Sequence, residues 1–227
     1  MKDNSNPEKP GNQEKNRLEN PIPKITIICS APDLASQNIK THLLSLTEWK
    51  LLELPENSGL SAARESRNGK FRLIDIEEIH VFQDGLDRKL ENAGLPASLI
   101  IFASKHRSKE EISSLTVHCT GNPSEDARLG GSPKSLAVSS PAAMKSILME
   151  MKRLAEQKGL KYDVTLEVTH HGPTELSVPS LYAEIGSTEM QWKDPEAGEV
   201  AAKAILSVSL EKVPVAIGFG GGHYAMR

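Results

Sequence analysis

An α/β fold is predicted for this chain, with a mixed, largely parallel sheet flanked by helices. Three observations predict it. Short β-branched, apolar runs recur along the chain, amphipathic stretches with helical spacing alternate with them, and several of the runs are apolar at successive positions rather than at every second one. At 227 residues the chain is long enough to bury a sizeable core. Aromatic residues are only 4%, so that core must be built from Leu, Ile, Val and Ala.

The elements follow in order. Residues 1–23 are rich in Asn, Glu, Lys and Pro and read as a disordered extension, because so few apolar groups cannot offset the entropy of ordering. The domain is expected to run from residue 24 to residue 227. Ile25–Cys29 is a strand, Ser30-Ala31-Pro32-Asp33 a turn with a helix cap, and Ala35, Ile39 and Leu43 mark one face of a helix reaching Leu46. Leu51–Leu54 is a short strand and residues 55–70 a polar surface loop. Phe71–Ile76, His80–Phe82, Leu99–Phe102 and Leu115–Cys119 are further strands. Residues 124–137, rich in Gly, Ser and Pro, form an exposed connection. The strongest helix spans Pro141–Lys158, with Ser140 before it and Gly159 after it. Val164–Val168 is a strand, a helix starts at Asp194-Pro195, and Pro214–Ile217 is a last buried strand.

Composition excludes several classes of function. No run approaches the roughly 18 apolar residues that span a bilayer. The polar N-terminus carries no apolar signal core, so a cytoplasmic protein without membrane partners is expected. Cys29 and Cys119 lie in apolar runs and read as reduced, buried thiols. A net charge of −3 confines any nucleic-acid contact to a local patch.

Chemistry concentrates in two segments. His170-His171-Gly172-Pro173-Thr174-Glu175 follows one predicted strand, and Gly218-Phe219-Gly220-Gly221-Gly222-His223-Tyr224 follows another. Strand exits are where rigid sheets present reactive groups. Adjacent histidines on extended backbone face opposite ways, so His170 and His171 are expected to have different tasks. Glu175 is close enough to turn back and orient an imidazole. A histidine and a carboxylate can act as a general base or ligate a metal. The N–H groups of Gly220, Gly221 and Gly222 could receive an oxyanion or a phosphate. His118 ends a strand beside Thr120 and could reach the same cleft. Glu184, alone in an apolar run, must be paired or functional. Ser104-Lys105-His106-Arg107-Ser108-Lys109 is a basic cluster suited to phosphates. His42 and His80 read as structural or solvent-exposed. Neither a Gly-x-Ser-x-Gly elbow nor a partnered cysteine is present.

Four motifs stand in a telling order: Leu115-Thr116-Val117-His118-Cys119-Thr120-Gly121-Asn122, His170-His171-Gly172-Pro173-Thr174-Glu175, Glu184-Ile185-Gly186-Ser187-Thr188 with Trp192, and Gly218–Ala225. Together they resemble the archaeal and plant type of D-aminoacyl-tRNA deacylase, from about Lys24 onward. The resemblance implies a phosphorylase- and peptidyl-tRNA-hydrolase-like fold, zinc as cofactor, and hydrolysis of the ester joining a D-amino acid to tRNA by a monomer. It implies His171, Glu175 and His223 as catalytic groups and His118, His170 and Glu184 as a metal shell. Thr120, Gly220, Gly221, Gly222, Lys105 and Arg107 would bind substrate, with Arg128 and Lys134 adding phosphate contacts. The family pattern has Pro where Met226 stands and continues well past it. A truncated product with a loosely held second motif is therefore the expectation. The alternatives are a nucleoside- or nucleotide-directed hydrolase or phosphorylase, and an inactive RNA-binding fragment.

Overall fold

The computed structural model describes residues 24–225, so the expected N-terminal extension lies outside the described residues. Its strands are β1 Lys24–Ser30, β2 Trp49–Leu52, β3 Ala62–Ser66, β4 Phe71–Ile76, β5 Ala97–Lys105, β6 Ser114–His118, β7 Gly121–Asn122, β8 Ser135–Leu136, β9 Asp163–Leu166 and β10 Ser180–Gly186. The helices are α1 Leu34–Leu46, α2 Leu86–Asn92, α3 Pro141–Lys158, α4 Glu189–Trp192 and α5 Pro195–Leu206. Eight strands form one sheet in the order β2-β3-β4-β1-β5-β10-β6-β9. The run β4-β1-β5-β10 is parallel, β6 turns against β10, and β9 runs parallel to β6. The expected mixed, largely parallel α/β sheet is what the chain forms.

Local chemistry explains the elements. Asp33 caps α1 by accepting a hydrogen bond from Ser36 N. Pro141 opens α3, and Gly159 closes it in the left-handed region at φ 68°. Asp194 caps α5 through Glu196 N. Strand alternation then divides the sheet. Ile27, Ile101, Ala103, Leu115, Val117, Leu181, Ala183 and Ile185 face a layer of α1, α3 and α5 and form the main core. On the opposite face α2 covers Ile28, Ile74, Ile100 and Phe102, which make a second, smaller core.

Three expectations are corrected. The polar loop at 55–70 contains β3, whose Ala-Ala-Arg-Glu-Ser has little strand preference and is ordered by pairing with β2 and β4. His80–Phe82 is a 3₁₀ turn rather than a strand, with His80 turned inward at 3.2 Å from Ile28 O. Residues 214–217 form no strand. Val215 is 68% and Ile217 83% exposed, since an apolar run becomes a strand only where a partner offers it a ladder.

Candidate active site

The half of the second face not covered by α2 is polar. Tyr182 and Glu184 on β10 lie opposite His118 and Thr116 on β6, so alternation brings all four to one side. His106 leaves the end of β5, Glu167 follows β9, and Thr120 bridges to His170. The second motif arrives from the outside. Val168 N donates to His223 O at 2.8 Å and Ala225 N to Leu166 O at 2.9 Å. Residues 223–225 thus pair with the β9 edge, and the imidazoles of His170 and His223 approach to 4.7 Å. The two distant histidine segments meet.

Glu167 is the centre of this cluster. One carboxylate oxygen lies 3.2 Å from His106 Nδ1, the other 2.6 Å from His223 Nε2 and 3.6 Å from His170 Nε2. Burial alone would raise its pKa, but the hydrogen bond from His106 and the fields of His118 and His106 hold the carboxyl below the usual range. His106 moves up: burial opposes its charge, and Glu167 overrides burial. Glu184 is pushed well above its ordinary value, by burial first and then by Glu167. Two buried carboxyls in one site are therefore shifted in opposite directions.

The histidines share a design. His118 Nδ1 lies 3.1 Å from Cys119 O, His170 Nδ1 2.8 Å from Val168 O, and His171 Nδ1 2.8 Å from Gly172 O. Each Nδ1–H donates to a backbone carbonyl, which leaves Nε2 as the free lone pair. Burial lowers all three: His118 in direction, His170 to about 4 and His171 to about 2, with the neighbouring His118 adding to the last two. They are neutral bases at neutral pH. His118 Nε2 is fully buried without a hydrogen-bond partner among the described residues. His171 holds a left-handed φ of 45°, an uncommon setting for a side chain. Gly172 after it has no room for a Cβ, which would meet the backbone of Gly130 and Gly131 at 2.5 Å.

Metal binding suits these donors. One ligand atom from each of His118, His170 and His171 lies within 4.8 Å of the others, and the same holds for His106, Glu167 and His223 and for His118, Glu167 and Glu184. Imidazole and carboxylate are zinc donors, and an unsatisfied buried Nε2 is what such an ion would satisfy. His170 and Glu184 do not share a group, so the shell of His118, His170 and Glu184 is not assembled as expected.

Several other expectations change. Glu175 does not orient an imidazole. Its carboxylate accepts from Ser132 Oγ at 3.2 Å and faces Arg88, because Asp84 Oδ1 binds the 174 and 175 amides and carries the side chain outward. Thr120 is fully buried with Oγ1 3.4 Å from Ser180 Oγ, which closes it to substrate. Lys105 stacks its ammonium over Trp192 at 5.4 Å. Arg128 and Lys134 pair with Asp126 and Glu125 of their own loop. Gly220 and Gly221 hold positive φ but have nothing within 4 Å of a Cβ position, so they make no close cradle. Gly222 lines a depression of about 520 Å³ with Arg107, Lys109, His223 and Tyr224. On the far side of the histidines, His170 and His171 line a cleft of about 460 Å³ with Asn122, Pro123 and Leu129. Sequence reasoning missed Glu167 and the inward role of His106. The test that singled out Glu184, a lone carboxylate in an apolar run, applies equally to Leu166-Glu167-Val168.

Fold and site together define a hydrolase-like centre: a buried carboxylate among neutral imidazoles at the ends of an α/β sheet. A family model described as D-aminoacyl-tRNA deacylase matches residues 93–227. A D-aminoacyl-tRNA deacylase of Methanosarcina barkeri is 89% identical over the whole chain, which spans 74% of that protein. One from Archaeoglobus fulgidus is 39% identical over 88% of the chain and 70% of its own length. Among solved structures, a conserved protein of unknown function superposes with a TM-score of 0.79 at 36% identity, covering 89% of this chain and 70% of that one. A Helicobacter pylori 5'-methylthioadenosine/S-adenosylhomocysteine nucleosidase gives 0.51 at 13% identity, over 82% of this chain and 97% of that one, a likeness of fold alone. The chain belongs to the D-aminoacyl-tRNA deacylase family.

Proposed function

We infer that this chain hydrolyses the ester joining a D-amino acid to tRNA, releasing both, at the cluster centred on Glu167. The observation that carries the site is the 2.6 Å contact between Glu167 Oε2 and His223 Nε2. A buried carboxylate that takes the Nε2–H fixes the imidazole so that Nδ1 is the base. His223, 43% exposed on the depression, is the imidazole that a bulky substrate can reach. Water attacks the ester carbonyl as His223 Nδ1 takes its proton, and Glu167 stabilises the imidazolium. When the acyl–oxygen bond breaks, His223 returns the proton to the departing ribose oxygen. Arg107, Lys109 and Gly222 line the depression that receives the tRNA end, and the cleft beside His170 and His171 receives the aminoacyl group.

Zinc, as we read it, is held by His118, His170 and His171, and supplies Lewis acidity and a more acidic water when bound. A tRNA substrate supports a cytoplasmic setting. No helix among the described residues is long and apolar enough to cross a membrane.

Deacylation of matched D- and L-aminoacyl-tRNA, with and without a chelator, tests the reading. Release of the D-amino acid alone, lost on chelation and restored by zinc, is expected. Activity indifferent to chelator would remove zinc, and activity indifferent to His223→Ala would remove the base.

A further inference from the structure

Tyr182 sits in the middle of the cluster and takes no part in the proton transfers above. It is fully buried. Its register partners are Phe102 on β5 and His118 on β6. The three rings form a row across adjacent strands: Phe102 stacks on Tyr182 at 4.8 Å and 28°, and His118 stacks on its other side at 5.0 Å and 6°. Phe102 belongs to the apolar core under α2, so the tyrosine ring is a spacer between that core and an active-site imidazole. The tip of the side chain has a second contact. Tyr182 OH donates to Gly172 O at 3.2 Å, the carbonyl that also receives His171 Nδ1–H at 2.8 Å. The ring meets the His171 imidazole edge-on at 4.8 Å and 76°.

We infer that Tyr182 is a positioning residue for two histidines at once: its ring sets the plane of His118, and its hydroxyl holds the carbonyl that fixes the tautomer of His171. Each half has a physical reason. A ring pressed flat against an imidazole blocks rotation about χ2, which is broad for histidine when nothing packs on it. A carbonyl held by two donors cannot turn away from either. If Gly172 O drifts, His171 loses the acceptor for Nδ1–H, and in the metal-free protein nothing then keeps Nε2 as the lone-pair nitrogen. A tyrosine that merely filled space would need its ring but not its hydroxyl.

This inference rests on the site proposed above, and the test separates the two. Tyr182→Phe and Tyr182→Leu are compared with the parent protein by ¹⁵N signals of the imidazole nitrogens at neutral pH after chelation of metal, by thermal melting, and by deacylation kinetics with zinc restored. Tyr182→Phe should keep the His118 signals, lose the single-tautomer pattern of His171, and lower kcat about tenfold with KM for D-aminoacyl-tRNA unchanged. Tyr182→Leu should disturb both imidazoles and lower kcat about a hundredfold. If Leu does not fold, Phe alone decides. A Phe variant with the parent His171 pattern overturns the inference, whether its kcat is unchanged or falls only in step with its melting temperature. If the parent protein deacylates no D-aminoacyl-tRNA, the reaction assignment fails while the nitrogen signals still settle the role of Tyr182.

Discussion

The two faces of strands β6 and β10 are built from alternate residues of the same two strands, yet they do opposite things. One face carries Leu115, Val117, Leu181, Ala183 and Ile185 against three helices, all fully buried and apolar. The other carries Thr116, His118, Tyr182 and Glu184, equally buried but polar. Burial is therefore not what distinguishes core from site here. On the first face it supplies stability through apolar area. On the second it shifts ionisation, raising Glu184 and lowering His118, and those shifts persist because the first face holds the strands in place.

Replacing Glu167 by Gln should break the polar face most severely. It removes the charge that His106 and His223 share, and kcat for deacylation should fall by about 10³-fold with tRNA affinity nearly unchanged. Leu181→Ala, one residue from Tyr182 but on the other face, should do the reverse. It should cost about 2–5 kcal/mol in denaturant unfolding while the remaining folded protein keeps its kcat. A large kcat loss there would mean that the faces are not separable. Acid should expose the difference a third way. His170 and His171 have folded pKa values of about 4 and about 2 against an ordinary 6.5, so the unfolded chain binds their protons first. Their contribution to stability is present above 6.5 and is lost as pH falls from there toward about 4 and below. His170→Asn should flatten the fall of the melting midpoint across that window. The smallest effect is expected at Glu175→Ala, within about 0.5 kcal/mol and about twofold in rate, because its carboxylate is exposed and faces no histidine.

Much of this was legible in the sequence, and the exceptions have physical causes. The α3 boundaries follow from Pro141 and Gly159, and β1, β5 and β6 from β-branched runs, because these are local signals. The histidine pairs were legible as chemistry at strand exits. The identity of the carboxylate was not: Glu167 and Glu175 flank the histidine doublet at similar distances in sequence, and only the fold decides between them, because Asp84, some 90 residues away, turns Glu175 outward while Glu167 is buried among the imidazoles. His106 looked like part of a basic surface because its neighbours are charged, and only the packing of β5 against β10 turns it inward. Partners distant in sequence decide such cases.

The three backbone carbonyls that receive His118, His170 and His171 make the site hard to retune by substitution. A carboxylate support can be exchanged for an amide or a hydroxyl in a single codon change, but a main-chain oxygen belongs to every amino acid alike. Drift in the surrounding sequence, Tyr182 with its hold on the Gly172 carbonyl excepted, therefore leaves the three free nitrogens as they are. Anyone wishing to give this centre a different reactivity would have to redraw the path of the chain at Cys119 and around residues 168–172, where Gly172 leaves no space for a side chain.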